Sequence, residues 1–131
     1  MPGEDILVVD DNPANTKLVS FLLTARGYVV RTAGTADEAL AAVRTRLPAL
    51  ILMDIQLPGT DGLTLARRLK ADPATRDARI IALTAYAMKG DEARALEAGC
   101  DAYITKPIDT RTLPAQIASC LTRDSSRGGP S

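Results

Sequence analysis

Apolar residues fall along the chain in two alternating styles. Short runs, Ile6-Leu7-Val8-Val9, Tyr28-Val29-Val30, Leu50-Ile51-Leu52-Met53, Ile80-Ile81-Ala82-Leu83 and the weaker Ala102-Tyr103-Ile104, are too brief for free-standing helices and read as strands. Between them lie longer segments with apolar residues at helical spacing. These place Leu18, Leu22 and Ala25 on one face, then Ala39, Leu40, Val43 and Leu47, then Leu65 and Leu69, then Ala93 and Leu96, and finally Leu113, Ile117 and Leu121. The first of these segments shows its start, with Asn12 as cap and Pro13 at the first helical position, and its stop at Gly27.

Most of the strand runs are apolar on both faces, so both faces must be covered. That favours a parallel sheet between helix layers over an antiparallel meander with one wet face. Five strands alternating with five helices, joined by right-handed crossovers, predict an α/β fold, a doubly wound (βα)5 three-layer sandwich. After Leu121 the pattern dissolves into polar residues rich in Gly and Ser. The expected organisation is one domain over residues 1–123 and a flexible polar tail over 124–131.

Composition narrows the possibilities. A chain of 131 residues has room for one domain, which buries roughly two-thirds of the surface its unfolded form exposes. Aromatics are only 3% of the residues, so the core must be built from Val, Leu, Ile and Ala rather than from rings. Sixteen Lys and Arg balance sixteen Asp and Glu with no run of like charge, so neither nucleic acid nor an anionic membrane is an expected partner. No stretch approaches the roughly 18 apolar residues of a membrane span, and the acidic start is unlike a secretory signal, which makes the cytoplasm the expected location. Histidine is absent, and Cys100 and Cys120 have no metal-like neighbours. Common zinc sites and His-based triads therefore lack their parts, and the two thiols are expected to be small, reduced and buried.

Ligands of doubly wound sheets bind beyond the carboxyl ends of the strands. Those positions hold Asp10 and Asp11 after the first run, Asp54 after the third, Thr84 after the fourth and Lys106 after the fifth. Taken singly, each has an ordinary structural reading, because Asp caps helices, Thr ends strands and Lys is usually solvated. Taken together they do not. Two unit charges about 4 Å apart repel by roughly 4 kcal/mol at an effective dielectric near 20, so the acidic cluster calls for a cation. Oxygen donors without His or Cys suit Mg²⁺, or Mn²⁺, in a site that keeps some waters. Such a site, with an ammonium beside it, can hold a phosphoryl group next to a carboxylate nucleophile.

Four stretches, in order and at consecutive strand ends, resemble the receiver domain of bacterial two-component response regulators. They are Ile6-Leu7-Val8-Val9-Asp10-Asp11-Asn12, Asp54-Ile55-Gln56-Leu57-Pro58-Gly59-Thr60-Asp61-Gly62, Ala82-Leu83-Thr84-Ala85 and Asp101-Ala102-Tyr103-Ile104-Thr105-Lys106-Pro107, and the resemblance reaches about Leu121. It implies the flavodoxin-like strand order 2-1-3-4-5. Residue by residue, it makes Asp54 the phosphoacceptor and gives magnesium to Asp10 and Asp11, Asp11 being the more direct, with Asp54 and the backbone carbonyl of Gln56 as further ligands. Thr84 is then the hydroxyl that bonds a phosphoryl oxygen, and Lys106, before a cis bond to Pro107, the ammonium that binds phosphate. Gln56, Ala85 and Tyr86 tune water access and lifetime. Thr84 and Tyr103 form the switch, reshaping the face made by the fourth helix, fifth strand and fifth helix, where a downstream protein docks. Met88 suits a partner contact or a buried gap.

The resemblance also implies a donor, the phosphohistidine of a histidine kinase or histidine phosphotransfer protein, which fits a phosphorelay member that has no histidine of its own. Such a domain catalyses its own phosphorylation and dephosphorylation but is a signalling switch, not an enzyme. Met1 close to the first strand favours a stand-alone receiver over a receiver fragment of a hybrid sensor kinase. An aspartyl-phosphate phosphatase of the haloacid-dehalogenase kind is a competing class. It wants a second Asp two residues after the first, where this chain has Gln56. A phosphorylation-independent scaffold is disfavoured by the complete set of site residues.

Overall fold

The strands β1 (Asp5–Val9), β2 (Val29–Ala33), β3 (Leu50–Asp54), β4 (Arg79–Thr84) and β5 (Ala102–Thr105) form one parallel sheet of order β2-β1-β3-β4-β5 in the computed structural model. It describes residues 3–57, 60–84, 91–105 and 108–128, by backbone alone at 56–57, 60–61, 91–92 and 122–128. Five helices alternate with these strands: α1 (Pro13–Thr24), α2 (Ala36–Thr45), α3 (Gly62–Ala71), α4 (Asp91–Glu97) and α5 (Leu113–Gly128). This is the expected flavodoxin-like (βα)5 sandwich. Among the described residues no helix is long and apolar enough to cross a membrane.

Successive strand residues point to opposite faces, so each central strand feeds two cores. Leu7, Val9, Ile51, Met53 and Ile80 pack beneath α2 and α3, while Ile6, Val8, Leu50, Leu52 and Ile81 pack beneath α1 and α5. β1, β3 and β4 are buried along their whole length, as strands covered on both faces must be. β2 lies at the sheet edge and exposes Val29.

Three sequence expectations need correction. In α1 the inward face is Val19 and Leu23, whereas Leu18 and Ala25 are exposed and Leu22 is half-buried. The helix carries apolar residues on two neighbouring rows, and periodicity cannot choose between rows about 100° apart. In the α4 region Ala95 and Ala98 turn inward while Ala93 and Leu96 are exposed. Leu47 is also exposed, because α2 ends at Thr45 and Arg46 is extended. The backbone of α5 runs from Leu113 to Gly128. No Gly or Pro intervenes after Pro114, and extending a formed helix is cheap compared with nucleating one.

Two charged networks tie the amino-terminal end of the sheet, away from the strand carboxyl ends. Arg31 meets Asp5 with two nitrogens, Nε to Oδ1 at 3.1 Å and Nη2 to Oδ2 at 3.0 Å, and also donates to the carbonyls of Ala42 and Arg46. Lys70 Nζ donates to the carbonyls of Arg76 and Ala78 and to Asp101 Oδ2, which also accepts the Ile80 N–H. Cys100 and Cys120 are buried and not in a disulfide, as expected.

Candidate functional site

β1 ends at Val9, but the ladder carries one residue further because the Asp10 N–H donates to the Ala33 carbonyl at 3.0 Å. The chain then turns into α1. Asn12 caps that helix by accepting the Ala14 N–H at 2.9 Å, and Pro13 fills a first-turn position that needs no donor. At this turn the start of α1 holds the Asp10 carboxylate, which accepts the Asn12 N–H on Oδ1 at 2.9 Å and Asn15 Nδ2 on Oδ2 at 3.3 Å.

Asp54 is the last residue of β3, in register with Leu83 of β4. The segment after it is fastened twice, by the Ile55 N–H to the Leu83 carbonyl and by the Gly62 N–H to the Ile55 carbonyl, both 3.0 Å. Between these points Gln56–Leu57 pairs with Thr60–Asp61 as a short antiparallel ribbon leading into α3. Thr84 ends the neighbouring strand β4, opposite Thr105 of β5.

Asp10, Asp54 and Thr84 are almost wholly buried, while Asp11 is exposed. One carboxylate oxygen from each of Asp10, Asp11 and Asp54 can be chosen so that all lie within 4.8 Å of one another. Three formal negative charges at that spacing repel unless a cation joins them. The donor set is all oxygen, with one acid open to solvent, which fits a hard divalent ion that retains waters and fits zinc or copper poorly.

The structure thus brings together three residues expected at the strand ends, Asp10, Asp11 and Asp54, and places Thr84 at the end of the strand beside that of Asp54. Tyr103 lies on β5 opposite Ala82, half-buried and packed against the core beneath α2 and α3. Gln56 is described by its backbone alone. Lys106, Pro107, Ala85, Tyr86 and Met88 lie outside the described residues. The sequence reading passed over Asn15. The signal available for it was an amide five residues after Asp10, inside a capped first turn.

A parallel sheet of this order with an acidic cluster at the ends of β1 and β3 defines a class of signalling domain, and similarity to known proteins agrees. The response regulator receiver domain family matches residues 6–118. The response regulator PleD of Caulobacter vibrioides is 46% identical over 118 residues, which are 90% of this chain and 26% of that protein. The polar-differentiation response regulator DivK of Brucella ovis is 44% identical over 118 residues, covering 90% of this chain and 96% of DivK. Thus the chain spans about a quarter of PleD and nearly all of DivK. A CheY-like response regulator receiver domain protein from Methanospirillum hungatei superposes with a TM-score of 0.88 at 33% identity, covering 96% of this chain and 99% of that one. The receiver domain of a signal transduction histidine kinase from Syntrophus aciditrophicus does so with a TM-score of 0.84 at 31% identity, covering 92% of each. The chain belongs to the response regulator receiver domain family, the phosphoacceptor domains of two-component signalling.

Proposed function

We propose that Asp54 is the phosphoacceptor of this receiver and that Asp10, Asp11, Asp54 and the Gln56 backbone carbonyl hold Mg²⁺, with Mn²⁺ as a substitute. The observation that carries this reading is the convergence of three carboxylates within 4.8 Å, one of them, Asp54, at the buried end of a central strand. When bound, the ion supplies positive charge against the phosphoryl oxygens. The chain's own groups do the rest. An Asp54 oxygen attacks phosphorus as the phosphorus–nitrogen bond of the donor phosphohistidine breaks, and the electron pair leaves with the imidazole, which takes up a proton. The Thr84 hydroxyl and the Lys106 ammonium donate to phosphoryl oxygens, so positioning and electrostatics carry the transfer. Gln56, Ala85 and Tyr86 set how readily water reaches the acyl phosphate, and hence its lifetime.

Donor and target follow from this chemistry. The donor is a histidine kinase or a histidine phosphotransfer protein. Phosphorylation favours whichever conformation brings Thr84 and Lys106 closest to the new charge, with Tyr103 following, and the face of α4, β5 and α5 presents the result to a protein target. The match along 96% of DivK supports a receiver that signals by contact in the cytoplasm, while PleD and the sensor kinase show the same unit inside longer proteins. The receiver unit is residues 1–123, and residues 124–131 carry none of its chemistry.

The test is incubation with Mg²⁺ and a small acyl phosphate, followed by mass spectrometry. The expected outcome is one phosphoryl group on Asp54, none on Asp54→Asn, and loss of labelling when EDTA is added or Asp11 is changed to Asn. Undiminished labelling of Asp54→Asn would move the acceptor elsewhere.

A further inference from the structure

Asn15 is the third residue of α1, after Pro13 and Ala14. A polar side chain at this position commonly reaches back to the backbone N–H of the capping residue. Here that N–H, of Asn12, already donates to Asp10 Oδ1, and Asn15 Nδ2 donates to the other oxygen, Oδ2. Two amide donors from the start of one helix therefore converge on a single carboxylate that is 2% exposed. An ionised carboxylate only accepts, so the amide must present its nitrogen.

We propose that Asn15 is a positioning residue of the cation site, fixing the Asp10 carboxylate in the orientation that the divalent ion requires. This rests on the reading of the acidic cluster as a Mg²⁺ site. The argument is one of preorganisation. Asp10 faces Asp11 and Asp54 within 4.8 Å, and their repulsion favours swinging it away while the ion is absent. Bonds on both oxygens oppose that swing, so binding need not reorder the side chain. A neutral amide can do this without competing with the ion, as a Lys at the same place would. Outer contacts of this kind are typically worth about 10–100-fold in metal affinity, and a single bond of 3.3 Å belongs at the lower end of that range.

The experiment is calorimetric titration of the full chain with Mg²⁺, comparing the native protein with Asn15→Leu, which keeps the branched shape without the polar atoms, and Asn15→Ala, which adds no bulk. Both variants should bind Mg²⁺ about tenfold more weakly, with melting temperatures in EDTA within a few degrees of the native protein. Because Asn15 acts through Asp10, Asn15→Leu should weaken binding no further in an Asp10→Asn background, read by electron paramagnetic resonance of free Mn²⁺. Unchanged or tighter binding in the single variants overturns the proposal, as does an equal further loss in the Asp10→Asn background. A native chain that binds no Mg²⁺ overturns the cation site itself, whereas native binding with indifferent variants removes only the role of Asn15.

Discussion

Gly62 abuts the backbone of Asp54 so closely that a Cβ built on it would lie 2.6 Å from the Asp54 carbonyl oxygen and 2.5 Å from the Ile55 Cα. The first residue of α3 is thereby wedged under the end of β3, and its N–H bonds the Ile55 carbonyl. Because the obstacle is backbone, no rotamer change can relieve it. Gly62→Ala is expected to push α3 away from the acceptor segment, costing about 1–3 kcal/mol of stability by overpacking. It should also slow acyl-phosphate labelling at saturating Mg²⁺. Urea unfolding and a labelling time course check both, and native values in each would show that the segment yields freely.

Lys70 and Asp101 are 31 residues apart in the chain, yet they meet at 3.1 Å with side chains only 18% and 7% exposed. The lysine stem lies over Gly99, whose φ of +104° suits the residue without a Cβ, and Nζ reaches two further carbonyls. Lys70→Met removes the cation from beside a buried carboxylate, and such breaks typically cost about 3–5 kcal/mol. Adding Asp101→Asn should recover part of the loss, so the double variant is expected to be more stable than the sum of the singles by about 1–3 kcal/mol. Denaturant unfolding of the four proteins measures this coupling. Strict additivity would mean that the two groups do not support each other.

The strand-end residues were legible because each central strand is a short, unbroken apolar run, so the first polar residue after it must leave the sheet at the ligand edge. Asp10, Asp54 and Thr84 are of this kind. The inward face of α1 was not legible, because Leu18, Val19, Leu22 and Leu23 form two adjacent apolar rows and only the docked helix shows that Val19 and Leu23 face the sheet. Asn15 was hidden for another reason, since an Asn in a first helical turn is ordinary until its partner is seen. The pairs Lys70 with Asp101 and Arg31 with Asp5 are 31 and 26 residues apart, and no local spacing announces a bond between residues brought together by the sheet.

Burial of Cys100 gives the domain an alkaline limit. Its thiol is pushed up from the ordinary 9.0 to about 11, first because burial disfavours the thiolate, with Asp101 adding to the effect and Lys70 opposing it. Between those values the unfolded chain has lost a proton that the native chain keeps, so rising pH pulls the equilibrium toward unfolding. The contribution is intact below about pH 9 and is lost as pH climbs through 11. Linkage over this interval amounts to roughly 2 kcal/mol by about pH 10.5. Tyr28, also raised by burial, acts in the same direction at still higher pH, so the two must be separated by mutation. The native protein should lose roughly 2 kcal/mol more between about pH 8 and 10.5 than Cys100→Ala does, measured by urea unfolding at each pH. Equal losses in the two proteins would remove Cys100 as the cause. Native Cys100 should also react with alkylating agents far more slowly than the urea-unfolded chain at pH about 8, because the thiolate is the reactive form.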